Sequence, residues 1–123
     1  MKTIAIEEHF KLPAIIEANT EGAQERAFKL FGSTGIYTTG PEGEVPAGVL
    51  DLGSKRLAAM DAGGIDFQVL SLNQPATENL EPNLAVKLAT QANDKIAAAV
   101  TANPNRFAAF ATLPMPDPKA AAV

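Results

Sequence analysis

The chain has 123 residues, of which 46% are apolar, and its formal net charge is −4. This length and composition allow one small domain with a hydrophobic core and argue against disorder. The ten Lys and Arg residues form no basic run, which argues against a nucleic-acid partner. The chain contains no cysteine, and its apolar stretches are far shorter than the roughly 20 residues of a membrane span. We therefore expect a cytoplasmic protein without a membrane partner.

The first apolar run, residues 3–6, predicts a β-strand that ends in Glu7-Glu8-His9. Alternation along a strand places Glu7 and His9 on one face, about 7 Å apart along the backbone, and Glu8 on the other. A carboxylate beside an imidazole begins a divalent metal site, and His9 is the only histidine of the chain. Two ligands do not complete a catalytic zinc site, and taken alone the triplet also fits a solvated strand end.

The stretch 11–50 is predicted to be an insertion between the first strand and the first full helix. Its first half has a partly helical pattern, while closely spaced glycines and prolines mark its second half as an irregular loop. We expect the aromatic side chains Phe28, Phe31 and Tyr37 at the end of the sheet that carries His9. There they would either shape a pocket or pack against the rest of the domain or a neighbouring subunit.

From residue 50 onward, helices and strands alternate. Asp51 or Ser54 is predicted to cap a helix that ends at Gly63-Gly64. A strand follows over residues 65–72 and becomes continuously apolar in its second half, which is typical of a strand buried on both faces of a parallel sheet.

A second helix is predicted to begin near Pro82 and to end before Asn103. Its apolar stripe consists of Leu84, Leu88, Ala92, Ile96, Ala99 and Val100. Residues 107–113 then predict a third buried strand, and Asp117 is placed to cap a third helix.

This order of strands and helices is that of right-handed parallel βαβ units, which build an open doubly wound sheet or a (β/α)8 barrel. No G-x-G-x-x-G motif follows any of the three strands, which disfavours a dinucleotide-binding Rossmann domain. The last helix is barely one turn long, whereas a whole barrel takes about 250 residues. We therefore predict an α/β fold in which residues 1–123 are the N-terminal portion of one (β/α)8 TIM barrel domain, truncated after the third strand.

Several short motifs together carry a resemblance to a known family. They are Ile4-Ala5-Ile6-Glu7-Glu8-His9-Phe10, Asp51-Leu52-Gly53, Arg56-Leu57, Met60-Asp61-Ala62, Gly64-Ile65-Asp66, Leu70-Ser71-Leu72, Asn93-Asp94, Asn103-Pro104, Arg106-Phe107 and Phe110-Ala111-Thr112-Leu113-Pro114. With these motifs the chain resembles the amidohydrolase-related metal-dependent decarboxylases, the group of γ-resorcylate decarboxylase. The resemblance extends over nearly the whole chain.

The resemblance implies one divalent metal ion, zinc or manganese, at the C-terminal ends of the barrel strands. It maps an E-x-H pair of metal ligands onto Glu7 and His9. The family's further ligands, a histidine and an aspartate from later strands, have no counterpart in this chain. We expect Glu8 to orient or pack rather than bind metal, and we assign Asp66, Asn93 and Asp94 to turns, helix ends and hydrogen bonds.

The function that the resemblance implies is reversible, non-oxidative decarboxylation of a hydroxylated aromatic carboxylic acid by the complete protein, a carbon–carbon lyase. The metal ion would bind the carboxylate and a phenolic oxygen of this small substrate, and the proton donor would be the later aspartate, so no catalytic residue is assigned within this chain. We also expect a homo-oligomer. The alternatives are a metal-dependent hydrolase of the same superfamily, and an inactive fragment that acts as a binding or assembly piece.

Overall fold

The computed structural model describes residues 1–20 and 47–122. Within these ranges, three parallel strands form one sheet in the order β1-β2-β3. The elements are, in chain order, β1 Ile4–Phe10, α1 Pro13–Thr20, α2 Ala47–Leu50, α3 Ser54–Ala62, β2 Phe67–Leu72, α4 Pro82–Ala102, β3 Phe107–Ala109 and α5 Pro118–Ala121. The parallel βαβαβ arrangement confirms the predicted fold class.

The start of α3 is capped by Asp51. Its Oδ1 atom accepts hydrogen bonds from the backbone N–H groups of Gly53 and Arg56, both at 3.0 Å, and so satisfies donors that the first helical turn leaves unpaired. Ser54, the other predicted cap, is instead the first helical residue, and Gly53 holds the N-cap position. The side-chain acceptor at the helix start therefore belongs to Asp51, two residues before the N-cap.

The end of α3 is a glycine-dependent turn. Gly64 has a φ of +66°, a left-handed conformation that glycine adopts without steric cost. Its N–H donates to the Asp61 carbonyl, and the N–H of Ile65 donates to the Met60 carbonyl. This pair of bonds is the Schellman motif, and it turns the chain directly into β2.

Helix α4 has the predicted limits, from Pro82 to Ala102. Its buried residues are Ala85, Leu88, Ala89, Ala92, Ile96 and Ala99. Leu84 was predicted to belong to this stripe but is 38% exposed, because the buried face is centred one residue further along the helix. Neither α4 nor any other helix in the described ranges is long and apolar enough to cross a membrane.

Strand β3 is shorter than predicted. It comprises Phe107–Ala109, and its ladder continues by one bond, from the Phe110 N–H to the Leu70 carbonyl. Phe107 is buried, but Phe110 and Leu113 are 64% and 50% exposed, so the prediction of a buried strand over 107–113 is wrong in its second half. Within the described residues β3 pairs with β2 alone, which leaves its far edge without the neighbour that would extend it.

The hydrophobic core lies between the helices and one face of the sheet, here called the outer face. Its buried members are Phe10, Ile15, Met60, Leu70, Leu80, Ala85, Leu88, Ala92, Ile96 and Phe107. The opposite, inner face carries side chains that remain exposed, among them Ile4 and Ile6. In the described residues, the helices thus cover one face of the sheet.

Hydrogen bonds from polar side chains to the backbone join separate segments and cap the last helix. Asp66 accepts a hydrogen bond from the Thr3 N–H at 2.7 Å, and the amide of Asn93 both accepts from and donates to the backbone of Thr112. Asp117 caps α5, as predicted, by accepting from the first two free N–H groups of that helix. Asp66 and Asn93 therefore serve structure, in line with the expectation from the sequence.

The two described ends of the stretch 11–50 lie close to each other, because the Lys11 N–H donates to the Val49 carbonyl at 2.8 Å. Phe28, Phe31 and Tyr37 lie outside the described residues, and their expected position beside His9 stays a prediction.

Candidate metal centre

A β-bulge sets which side chains of β1 face the candidate site. Between Ala5 and Glu8, β1 carries one more residue than the facing stretch of β2, so the alternation of side chains shifts by one position. Glu8 pairs with the fully buried Leu70 and therefore lies on the outer face, which places the preceding Glu7 on the inner face. His9 follows Glu8 and also lies on the inner face. The two candidate ligands thus share one face near the C-terminal end of their strand.

His9 is held by a neighbour on β2. The two strands pair His9 with Ser71, and the Nδ1 atom of the ring lies 3.0 Å from the Ser71 hydroxyl oxygen. When Nδ1 carries the ring proton it donates to Ser71, and Nε2 then has the free lone pair that a metal ion requires. Both side chains of the candidate pair, Glu7 and His9, are exposed.

Ser71 was not singled out from the sequence as a site residue. The signal that identifies it is the register of β1 against β2, because a serine at the penultimate position of an apolar strand does not by itself indicate a site.

On the outer face, the half-buried Glu8 and the buried Arg56 lie behind the candidate ligands. Arg56 is 8% exposed, and its Nη2 atom donates to the backbone carbonyl of His9 at 2.7 Å. Burial lowers the pKa of Arg56 from its ordinary value, and the negative charges of Glu8 and Asp51 oppose that shift. Glu8 therefore stabilises the charged guanidinium rather than pointing to the candidate metal site.

The ligand atoms of Glu7 and His9 suit a divalent cation, but two residues do not form a whole ligand set. Glu7 offers carboxylate oxygens and His9 a ring nitrogen, the ligand types that zinc and manganese accept. In residues 1–20 and 47–122 no group of three or more His, Cys, Asp or Glu side chains is placed to hold a metal ion. The pair fits a metal site to which other parts of a barrel contribute.

Comparison with known proteins gives relatives over nearly the whole chain, although no protein-family model matches it. The γ-resorcylate decarboxylase of Rhizobium radiobacter is 35% identical over 119 residues, which are 96% of this chain and 32% of the relative. The chain therefore spans about a third of the length of the curated relatives that it matches.

Solved structures agree with this relationship. A dihydroxybenzoic acid decarboxylase from Polaromonas sp., with bound manganese and the inhibitor 2-nitroresorcinol, is 33% identical with a TM-score of 0.71, and the match covers 99% of this chain and 33% of that one. A 5-carboxyvanillate decarboxylase from Novosphingobium aromaticivorans, complexed with manganese and 4-hydroxy-3-methoxy-5-nitrobenzoic acid, is 33% identical with a TM-score of 0.76, over 91% of this chain and 34% of that one.

The parallel βαβαβ sheet of this chain is therefore part of the TIM-barrel fold of these proteins. The comparisons of sequence and of structure both confirm the resemblance that the motifs indicated. The chain belongs with the amidohydrolase-related decarboxylases, the group that includes γ-resorcylate decarboxylase, over about a third of their length.

Proposed function

We propose that Glu7 and His9 bind one divalent metal ion, and that the complete protein uses it to remove the carboxyl group of a hydroxylated aromatic acid as CO2. The single observation that carries this proposal is the register of β1 on β2. It places the two side chains on the face opposite the helices, near the C-terminal end of the strand, where barrel enzymes have their active sites. The decarboxylases with bound manganese support the choice of metal and reaction class.

Within this chain, the residues have separate tasks. The carboxylate of Glu7 would supply negative charge to the cation, and His9 would supply Nε2 while Ser71 accepts the proton of Nδ1. When bound, the metal ion supplies Lewis-acid stabilisation of negative charge on the carboxylate and phenolic oxygens of the substrate. A proton replaces CO2 on the ring carbon, and its donor lies outside the ligands assigned to this chain.

The proposal is tested on the complete protein, loaded with manganese or zinc and incubated with dihydroxybenzoates while CO2 release is measured. Glu7→Gln and His9→Asn remove proposed ligands and are therefore expected to lower metal affinity by more than the roughly 10–100-fold that loss of a ligand's hydrogen-bond partner costs, and to abolish CO2 release. Glu17→Gln, a change of the same type at an exposed position of α1, is the control and should retain activity.

Two results would contradict the proposal. One is full metal affinity and activity in both ligand variants, which would remove Glu7 and His9 from the site. The other is metal-dependent hydrolysis of an ester, lactone or amide without any release of CO2, which would indicate a hydrolase of the same superfamily.

A further inference from the structure

Arg56 is a charged side chain that folding has enclosed almost completely. It lies on α3 one helical turn before Met60, and both residues face the sheet. An arginine is rarely buried unless its donors are satisfied, because an unpaired buried charge is strongly destabilising. The contacts of this guanidinium therefore indicate what the buried charge does.

Four hydrogen bonds satisfy the Arg56 guanidinium, and three of them go to backbone carbonyls. Nη2 donates to His9 at 2.7 Å and to Gly48 at 3.1 Å. Nε donates to the carbonyl of Asp51 at 2.8 Å, and Nη1 donates to the side-chain oxygen of Gln68 at 3.2 Å. One side chain thus joins the end of β1, the chain just before α3, and the middle of β2.

We propose that Arg56 is the positioning residue for the candidate ligand His9, which it holds through the backbone carbonyl. This inference rests on the proposed metal site. Ser71 fixes the imidazole ring from the inner face, while Arg56 fixes the peptide group of the same residue from the outer face. Held at both ends, His9 keeps one side-chain direction without a metal ion, which lowers the entropic cost of binding one.

The geometry requires an arginine. The guanidinium is a rigid plane whose donors point in several fixed directions, whereas the ammonium group of lysine is a single point at the end of a flexible chain. A lysine at position 56 keeps the positive charge near Glu8 but cannot reach the His9, Gly48 and Asp51 carbonyls together. Arg56→Lys therefore separates the charge of this residue from its positioning role.

Arg106 offers a matched control. Its Nε donates to the Asp66 carbonyl, and its Nη2 donates to the Asp61 carboxylate and the Ile65 carbonyl. It thus joins helix and strand much as Arg56 does, but at the opposite end of the sheet from His9. Arg106→Lys should cost stability without altering the candidate ligand.

The experiment uses the full chain and follows its single histidine by NMR, since every imidazole signal then belongs to His9. The His9 signals are recorded without metal, and Mn²⁺ is then titrated until paramagnetic broadening removes half of their intensity. In Arg56→Lys we expect displaced His9 signals and a roughly tenfold higher Mn²⁺ concentration at the midpoint. In Arg106→Lys both measurements should match the wild type.

A second variant covers the case in which Arg56→Lys does not fold. Gln68→Met removes one acceptor of the guanidinium at similar volume and should displace the His9 signals in the same direction by a smaller amount. The proposal is overturned if the folded Arg56 and Gln68 variants keep the wild-type His9 signals and midpoint. It is equally overturned if Arg106→Lys changes His9 as much as Arg56→Lys does, because general loss of stability would then explain the effect.

The proposed function can fail separately. Unchanged metal affinity of Glu7→Gln and His9→Asn in the complete protein contradicts the metal site, whereas the metal-free spectra of the Arg56 and Gln68 variants still decide whether Arg56 positions His9.

Discussion

The hydrogen bond between His9 Nδ1 and the Ser71 hydroxyl links the tautomer of the ring to the nitrogen that is available to a ligand. In a free neutral imidazole the proton exchanges between two nitrogens, and an acceptor beside Nδ1 favours the tautomer that is protonated there. The Ser71 hydroxyl on the neighbouring strand can accept the Nδ1 proton or donate its own, and the proposed metal site requires that it accepts. The proposed role of His9 as a ligand therefore depends on a residue of β2 as well as on its own strand.

Removing the Ser71 hydroxyl should change the tautomer of His9. In the neutral ring of Ser71→Ala, we expect the nitrogen chemical shifts to move toward the form protonated on Nε2, and the free energy of unfolding to fall by about 0.5–1 kcal/mol. Nitrogen NMR and urea unfolding provide the two measurements. Ser54→Ala, at the exposed start of α3, is the control, and unchanged tautomer populations in Ser71→Ala would contradict the assignment.

At the scale of single elements, the cap of α3 should make stability depend on pH. The backbone N–H groups of Arg56 and Gly53 donate to Asp51 and hold the pKa of its carboxyl below the ordinary value. A carboxyl whose pKa is lower in the folded chain stabilises it at neutral pH, and that contribution is lost as the pH falls through the folded pKa. Asp51→Asn removes the titration while keeping a side-chain oxygen.

We therefore expect the wild-type chain to lose more stability than Asp51→Asn when the pH is lowered from about 6 to about 3. Urea unfolding at a series of pH values measures the difference. Asp94→Asn, at an exposed position of α4, should follow the wild-type curve. Parallel curves for the wild type and Asp51→Asn would show that the carboxylate does not stabilise the helix start.

The face of α4 that packs on the core is lined by alanines, and it should tolerate no larger side chain. Ala92 is fully buried, so Ala92→Leu must displace its neighbours and is expected to lower the free energy of unfolding by about 1–3 kcal/mol. Ala97→Leu makes the same change on the exposed face of the same helix and should be nearly neutral. Equal stability of the two variants in denaturant would contradict the packing of α4.

For the whole molecule, the most consequential surface is the inner face of the sheet. Ile4, Ile6 and Phe110 are 55%, 68% and 64% exposed, although large apolar side chains of a barrel strand are normally enclosed by the other strands. Exposed apolar area of this kind promotes association.

We expect the isolated chain to self-associate through this face, and Ile6→Thr to reduce the association while preserving strand propensity. Leu84→Gln, an exposed apolar residue on α4, is the control and should associate as the wild type does. Sedimentation velocity at several concentrations measures the effect. Association that Ile6→Thr leaves unchanged would assign it to another surface.

The isolated chain should also bind metal weakly and catalyse nothing. At the candidate site, the described residues offer the carboxylate of Glu7 and the imidazole of His9, whereas a catalytic metal site usually holds three protein ligands. Calorimetric titration with Mn²⁺ or Zn²⁺ is expected to show no tight stoichiometric binding, and a dihydroxybenzoate should release no CO2. Tight binding or turnover would mean that other residues, for instance from a second copy, complete the site.

The sequence predicted the elements well where they are long or bounded by residues that start or stop a helix, as for α4 between Pro82 and Asn103. It predicted the parallel order of the strands and the shared face of Glu7 and His9, but not the bulge between Ala5 and Glu8. The sequence did not predict that Arg56 is buried and hydrogen-bonded to several segments, nor that Ser71 contacts His9. Both roles depend on contacts between residues distant in sequence, and these contacts leave no local periodicity to detect.

The extra residue of β1 also shifts the inward–outward alternation of side chains, so the two halves of the strand follow opposite patterns. With unbroken alternation, Ile4 and Ile6 would lie on the same face as Phe10, among the helices. Loss of one residue within the bulge would remove the bulge itself and leave Glu8 opposite Leu70, so the direction of Glu7 and His9 would not change. The bulge therefore uncouples the facing of the first half of β1 from that of its second half, which carries the candidate ligands.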